Sequence, residues 1–321
     1  MSTNYITYEN AINLVTWEGA VAAIRDGHSL PKAQIGDLFL GPQTATLLNR
    51  AAYIEGLGYG VKAVTVMDNN ASKGLPTIQG GMMVYDPIDG ALSAIIDSKL
   101  VTELKTAADS IFGAQLLARA DSKKLLVVGA GVVAQSLVRA YHKMFPSLDT
   151  ISIWARRSAQ AQSLIAQLDD LDVNLVVVEN LAEAAAHSDI ISSATMAREP
   201  LLKGAWISPG THIDLIGAYK SDMREADDVL IAKGTVYVDS RETTLHHIGE
   251  LMIPLAAGVI VETDIKGDFY DLTASATPAR KSNDEITIFK NGGGAHLDLM
   301  IADYIARVVS IAASSPNNPP R

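Results

Sequence analysis

Apolar residues in the middle of the chain recur in short runs, and the segments between these runs have helical spacing. Leu125 to Val128 form one run, bounded by two lysines on one side and by Gly129 on the other. Further runs lie at 151–155, 173–178, 190–193, 212–216 and 236–238, and helical spacing is found at 158–169, 181–187 and 241–257. Strands of a parallel sheet are apolar throughout because helices cover both faces of the sheet. The alternation predicts an α/β fold with a doubly wound parallel sheet.

The chain up to about residue 120 has a different pattern. Apolar positions at helical spacing predict helices at 8–27, 44–56 and 99–118, and the segment 30–41 predicts a turn followed by a strand. Alternating positions predict strands at 59–67, 81–85 and 92–97. The turn DPIDG at 86–90 joins two of them, so we expect an antiparallel sheet in a smaller α+β domain. We also expect a final helix at 297–312 and a disordered tail from Ser314 onward.

The glycines that follow the first parallel strand form a nucleotide-binding motif. The segment GAGVVA comes directly after the strand and opens a helix. Gly129 permits the tight turn, Gly131 lets a pyrophosphate approach the backbone, and Ala134 is small enough for close packing of helix on strand. The N-terminus of the helix favours an anion. The motif therefore predicts a Rossmann domain in which Gly129, Gly131, Val132, Val133 and Ala134 bind a dinucleotide.

The end of the second parallel strand indicates which dinucleotide is bound. Domains of this kind that take NAD usually carry an acidic residue there, which holds the ribose 2′-hydroxyl. This chain has Arg156, Arg157 and Ser158 instead. Because guanidinium groups suit phosphate oxygens, we predict that these residues bind the 2′-phosphate of NADP(H), with NAD(H) as the alternative. A second interpretation, that an arginine simply begins the next helix in solvent, stays open.

The loop 194–198 leaves the carboxyl end of another parallel strand. Ligands of doubly wound sheets bind at this edge of the sheet. We therefore add Ala194 and Thr195 to the candidate cofactor-binding residues.

Composition excludes several other functions. The 321 residues carry a net charge of −10 without a cluster of lysine and arginine, which argues against nucleic acid and anionic membranes as partners. The absence of cysteine excludes disulfides, and no signal peptide or long apolar run is found, so we expect a soluble cytoplasmic protein. The histidines do not have metal-ligand spacing, so we predict no metal site.

Seven segments of the chain are distinctive, namely GYGVKAVTV (58–66), GLPTIQGGMMVYDPIDGALSAIIDS (74–98), LVTELKTAADS (100–110), GAGVVA (129–134), ISSATMAREPLL (191–202), PGTHIDLIGA (209–218) and VYVDSRE (236–242). In these segments the chain resembles the ornithine cyclodeaminase and mu-crystallin family. The order and spacing of the segments make the resemblance specific. It implies a substrate-binding and dimerisation domain at 1–120 with 297–321, a Rossmann domain at 121–296, and a homodimer.

The resemblance also implies a small-molecule substrate, an α-amino or α-imino acid, and a nicotinamide cofactor. Three basic residues of the family hold the substrate carboxylate. The first is most nearly Lys32 here, although Arg50 competes for this role. The second is Lys62, which could also donate a proton, and the third is Lys105, where the family usually has arginine. A lysine lacks the planar fork of arginine, so the carboxylate is expected to bind more loosely or at a different angle.

One departure from the family pattern bears on the reaction. Cyclodeaminases of the family carry a catalytic aspartate shortly after the strand that ends near Gly217, and Tyr219 takes its place here. We therefore favour an NAD(P)H-dependent reductase of a cyclic or linear α-imino acid, such as Δ1-pyrroline-2-carboxylate, with Lys62 and Tyr219 as catalytic candidates. Two alternatives stay open, namely a cyclodeaminase that uses bound NAD+ and a non-catalytic NADP-binding protein of the crystallin type.

Overall fold

The computed structural model describes residues 3–42 and 44–314, which divide into two compact units. The first unit takes the chain up to Lys105 and again from Gly294, and the second takes Thr106–Gly293. We predicted boundaries near residues 120 and 297. Each of them lies C-terminal to the corresponding boundary between the two units in the structure. Ser314 is the last described residue, so the rest of the tail that we expected to be disordered lies outside the described residues.

Most of the predicted strands and helices are present, together with short elements that the sequence patterns did not indicate. The strands are β1 (Asn4–Ile6), β2 (Gln34–Leu40), β3 (Ala45–Ile54), β4 (Gly58–Met67), β5 (Ile78–Tyr85), β6 (Leu92–Asp97), β7 (Lys124–Val128), β8 (Thr150–Trp154), β9 (Asn174–Val177), β10 (Ile190–Ser193), β11 (His212–Leu215), β12 (Thr235–Val238), β13 (Ile265–Gly267) and β14 (Thr287–Lys290). The helices are α1 (Tyr8–Ala11), α2 (Trp17–Gly27), α3 (Ser98–Leu117), α4 (Val132–Met144), α5 (Ser158–Ala166), α6 (Leu181–Ala186), α7 (Asp228–Lys233), α8 (Arg241–Thr244), α9 (Gly249–Ala256), α10 (Phe269–Ala274) and α11 (Ala295–Ser314). Short 3₁₀ turns lie at Asp68–Lys73, Gly204–Trp206 and Glu262–Asp264.

The first unit is built on a six-stranded sheet in the order β1-β6-β5-β4-β3-β2. Neighbouring strands are antiparallel, except that β1 runs parallel to β6. Helix α11 packs on β3 and β4 as well as on α2. Gly60 allows this close approach, because a Cβ atom at this position would lie 2.9 Å from Leu299 Cδ1 on the helix and 2.5 Å from Met82 Cε on the next strand.

The helix that we predicted at 44–56 is wrong, because this segment is strand β3. Its leucines and alanines have helical spacing and high helix propensity, but β3 pairs over its full length with β4 and over Leu47–Tyr53 with β2. Pairing on both sides fills the backbone hydrogen bonds of the strand and outweighs the local preference. The helices predicted at 8–27 and 241–257 are each interrupted. Thr16 caps a new helix start by accepting from Gly19 N (3.1 Å), and Gly249 N donates to Lys220 O (3.0 Å).

The second unit confirms the predicted α/β class. Its eight strands are all parallel, in the order β13-β12-β14-β11-β10-β7-β8-β9. The chain moves outward from β7 through β8 and β9 on one side and through β10 and β11 on the other. Strand order therefore reverses beside β7, and ligands bind at such a point outside the carboxyl ends of the strands.

In the described part of the chain, no helix is long and apolar enough to cross a membrane. Among the same residues, no group of three or more histidine, aspartate or glutamate side chains is placed to hold a metal ion.

Candidate functional site

The turn between β7 and α4 has the geometry that a pyrophosphate needs. Gly129 has a φ of +126°, and a Cβ atom there would lie 2.6 Å from Ala194 O, so a side chain is excluded twice. Gly131 is the N-cap of α4, without a side-chain capping bond, and a Cβ atom there would meet nothing within 4 Å. Ala134 is fully buried against the sheet. The open helix N-terminus therefore fits an anionic dinucleotide.

Ala194 and Thr195 follow β10 beside this turn. Thr195 donates to Glu225 Oε1 through both its backbone N and its Oγ1, each at 2.8 Å. Glu225 Oε2 accepts from Gly217 N at 2.6 Å, in the loop that follows the neighbouring strand β11. The buried Glu225 carboxylate thus accepts hydrogen bonds from the loop after β10 and from the loop after β11, both at the carboxyl edge of the sheet. Burial raises the pKa of Glu225, although its hydrogen bonds and Lys290 oppose the shift.

Sequence reasoning missed Glu225 and the charged groups that surround it. The Glu250 carboxylate accepts from Glu225 N (2.8 Å) and Ala226 N (2.9 Å), and burial raises the pKa of Glu250 to about 7. Lys290 is fully buried and donates to the carbonyls of Leu215 and Asn291, both at 2.8 Å. A local pattern gave no signal, because these residues come from three distant segments that only the sheet brings together.

Arg156, Arg157 and Ser158 lie between the end of β8 and the first turn of α5. Arg157 is the N-cap of α5, but its side chain makes no capping bond. Both arginines are exposed. Their position at the carboxyl end of the strand next to β7 is where a Rossmann domain meets the adenosine ribose. Both guanidinium groups are thus exposed at this edge of the sheet, and their binding of a 2′-phosphate stays a prediction.

Two of the three lysines that we predicted to hold a carboxylate are buried in the first unit. Lys62 is 7% exposed and Lys105 is 8% exposed. Lys62 lies on the face of β4 that α11 covers, and its Nζ is 2.7 Å from Asp298 Oδ1 on that helix. Burial lowers the pKa of Lys62, Asp298 opposes this shift, and Lys105 and Arg50 add to it.

Arg50 and Lys32 differ in their relation to Lys62. Arg50 is the cross-strand partner of Lys62 in the β3–β4 ladder, so the two side chains leave the sheet on the same face. Its Nη2 lies 2.8 Å from Asp37 Oδ2. Lys32 is exposed in the segment between α2 and β2. The register thus supports Arg50, the competing residue, at least as well as Lys32 for the first basic position.

Tyr219 lies in the second unit, in the segment that follows β11. Tyr219 is 50% exposed, and Lys220 Nζ lies 5.5 Å from the centre of its ring. Asp222, three residues further on, is also exposed and pairs with Arg198 at 2.8 Å. Tyr219 is therefore accessible to a ligand, and its catalytic role stays a prediction.

One feature of each unit indicates the class of protein to which this chain belongs. A glycine turn at the switch point of a parallel sheet defines a dinucleotide-binding protein, and the first unit adds a buried cationic group suited to a carboxylate. The model of the ornithine cyclodeaminase/mu-crystallin family matches residues 47–310. The chain belongs to this family, as the resemblance predicted.

Individual relatives match nearly the whole chain. It is 59% identical over 306 residues to a Δ1-pyrroline-2-carboxylate reductase of Paracoccus denitrificans, covering 95% of this chain and 97% of that protein. The solved structure of Thermococcus litoralis Δ1-pyrroline-2-carboxylate reductase with NADH and L-proline superposes with a TM-score of 0.91 at 28% identity, covering 98% and 100% of the two chains. An archaeal alanine dehydrogenase dimer with bound NAD superposes with a TM-score of 0.90 at 27% identity, covering 98% of each chain.

Proposed function

We propose that this chain is a nicotinamide-dependent reductase of Δ1-pyrroline-2-carboxylate, which it converts to proline. The observation that carries the proposal is the 59% identity, over 95% of the chain, to a reductase of this substrate. The comparisons confirm the predicted class, a nicotinamide-dependent oxidoreductase that reduces the C=N bond of an α-imino acid. The choice of the five-membered cyclic imine is the finer part of the proposal.

A bound nicotinamide would supply the hydride in this reaction. The residues of the chain have two other tasks, which are to bind the carboxylate and to provide a proton. Lys62 and Lys105, with Arg50 or Lys32, bind the carboxylate through charge-assisted hydrogen bonds, which are stronger than neutral ones. Lys62 or Tyr219 provides the proton if the imine is not already protonated. Because protonated imines accept hydride readily, the site needs little further acid–base machinery.

The proposal is tested by the oxidation of NADPH and NADH with a panel of imines, followed at the nicotinamide absorbance. Δ1-pyrroline-2-carboxylate, Δ1-piperideine-2-carboxylate and pyruvate with an amine form the panel. We expect the highest kcat/KM with the first of these. Ammonia release from ornithine with NAD+, without oxidation of either cofactor, would establish the cyclodeaminase. Nucleotide binding without any turnover would establish the non-catalytic protein.

We further propose that the chain prefers NADP(H). Arg156 and Arg157 support this, because both are exposed at the edge of the sheet where we place the adenosine ribose. Arg156→Ala combined with Arg157→Ala should raise the KM for NADPH by roughly 10-fold or more and leave the KM for NADH within about 2-fold, since only NADPH carries the 2′-phosphate. Steady-state kinetics with both cofactors measure this. In the control Arg139→Ala, which removes a guanidinium 2.7 Å from Asp170 instead, both KM values should be unchanged. Equal losses for the two cofactors would contradict the proposal.

We also propose a cytoplasmic homodimer formed through the first unit. Strand β2 is the edge of its sheet and exposes Leu38, Phe39 and Leu40 by 52%, 64% and 51%. Exposed apolar edge strands of this kind pair with another chain. We expect light scattering to give about twice the 34.1 kDa of one chain, and Phe39→Asp to give the mass of one chain, since a charge would be buried twice in a symmetric interface. The proposal would be contradicted if light scattering gave the mass of one chain for the wild type. It would also be contradicted if Phe39→Asp still had the mass of two chains.

A further inference from the structure

Lys62 and Asp298 form an ion pair that is withdrawn from solvent. Lys62 Nζ lies 2.7 Å from Asp298 Oδ1, and the two side chains are 9% and 1% exposed. Lys62 is in the middle of β4, and Asp298 is in the first turn of α11, 236 residues further along the chain. The pair therefore exists only because α11 packs on this sheet.

A buried ion pair of this geometry is expected to contribute little net stability to the fold. Asp298 Oδ2 is buried and, among the residues that the structure describes, accepts no hydrogen bond. A buried carboxylate with one oxygen unsatisfied is destabilising, since the water it has lost is not replaced. Well-packed apolar residues in place of a buried ion pair are often equally or more stable. The stability of the fold therefore gives no reason for this pair.

The charges around Lys62 suggest what the pair does. Lys105 on α3 and Arg50 on β3 both act on Lys62, and burial acts in the same direction. On the other side, β5 places the uncharged Met82, which is 1% exposed, opposite Lys62. All these influences except Asp298 lower the pKa of Lys62 and favour its neutral amine. Asp298 is the group that opposes them.

We propose that Asp298 is a positioning residue, which holds Lys62 in place and keeps it an ammonium ion so that it can bind substrate. The inference rests on the proposed reductase function, because both roles considered for Lys62 require the charged form. A neutral amine would neither attract the substrate carboxylate nor protonate an imine. Asp298 thus acts on the substrate through Lys62 and not by contact.

The first test is the pH dependence of Asp298→Asn, which removes the charge and keeps the shape. Loss of this charge lowers the pKa of Lys62 further, so kcat/KM should begin to fall at a lower pH than in the wild type. We expect the alkaline limb of the profile to move down by about one pH unit or more, and activity to recover as the pH is lowered. Asp298→Glu should return the limb toward its wild-type position. Comparison on one substrate removes the contribution of the imine's own ionisation.

The control is Asp303→Asn on the same helix. Asp303 pairs with Arg307 at 2.7 Å instead, and its removal should leave the profile unchanged. The proposal would be overturned if kcat/KM of Asp298→Asn were lower by the same factor at every pH, with the alkaline limb of its pH profile at the same pH as in the wild type. That result would mean a purely structural role.

A second experiment covers the case in which Asp298→Asn fails to fold. The double variant Lys62→Met with Asp298→Leu removes both charges together. We expect it to unfold at a temperature at least as high as the wild type does, and to bind NADPH but not to reduce the imine. A fall in Tm of more than about 5 °C would overturn the proposal, since the pair would then serve the fold.

A third measurement does not depend on activity. The 13Cε signal of Lys62, assigned with Lys62→Arg, reports the protonation of the amine directly. It should titrate at a lower pH in Asp298→Asn than in the wild type, and identical titrations would overturn the proposal. If the wild-type protein reduced no imine, the proposed function would fail, while this titration would still decide whether Asp298 maintains the charge of Lys62.

Discussion

Lys62→Met should lower kcat/KM for Δ1-pyrroline-2-carboxylate by roughly 10³-fold, because it removes a buried positive charge from the carboxylate site. Lys62 is 7% exposed, so a water molecule cannot easily take over its role. The affinity for NADPH, measured by its fluorescence, should stay within about 2-fold, since the nucleotide motif belongs to the other unit. The split between lost turnover and retained binding is the diagnostic result.

The matched control is Lys99→Met. Lys99 belongs to the same unit, but it is exposed and lies over the ring of Tyr8, with Nζ 4.1 Å from the ring centre. Its replacement should leave kcat/KM unchanged. Lys62→Arg should retain part of the activity, because it keeps the charge. An active Lys62→Met enzyme would remove Lys62 from the carboxylate site and leave Lys105 and Arg50 as candidates.

Gly131→Asp should weaken the binding of either nicotinamide nucleotide by roughly 100-fold without loss of stability, because like charges brought together cost several kcal/mol. The position tolerates a side chain, since a Cβ atom would meet nothing within 4 Å. Aspartate is also a favourable N-cap, so the free energy of unfolding should be unchanged or slightly higher. The new carboxylate would stand where we place the pyrophosphate. Titration of nucleotide fluorescence and thermal unfolding measure the two quantities.

Gly131→Asn separates charge from size at this position. It has nearly the same shape as the aspartate and also caps helices, so its smaller loss of affinity would measure the steric part alone. If Gly131→Asp bound NADPH as tightly as the wild type does, the pyrophosphate would have to lie elsewhere. Equal losses for both variants would mean that the effect is steric and not electrostatic.

The glycine turn of the candidate nucleotide site could be predicted from the sequence because its signals are local. Gly129 needs a positive φ, which glycine adopts freely, and Gly131 leaves open space at the N-terminus of α4. The apolar runs of β7, directly before the turn, and of β8, after helix α4, have the length and spacing of parallel strands. Each of these features lies within about 30 residues, and no distant contact is needed to interpret them.

The candidate carboxylate site was only partly predictable, because distant segments build it. The helix predicted at 44–56 concealed that Arg50 lies opposite Lys62, a fact that follows from the register of β3 and β4. Asp298 is one of two acids in α11, and nothing local indicates that it, and not Asp303, meets a lysine 236 positions earlier. Strand β14 was also missed, because its four residues begin with a threonine and end with a lysine.

Transfer of deuterium from NADPH that carries the label at the reactive C4 position tests the central claim most directly. The protein is incubated with labelled NADPH and Δ1-pyrroline-2-carboxylate, and the product is analysed by mass spectrometry and NMR. Our account predicts proline with a single deuterium at its α-carbon, the former imine carbon. The absence of labelled proline, with both substrates unconsumed, would contradict the assignment of this chain as an imine reductase.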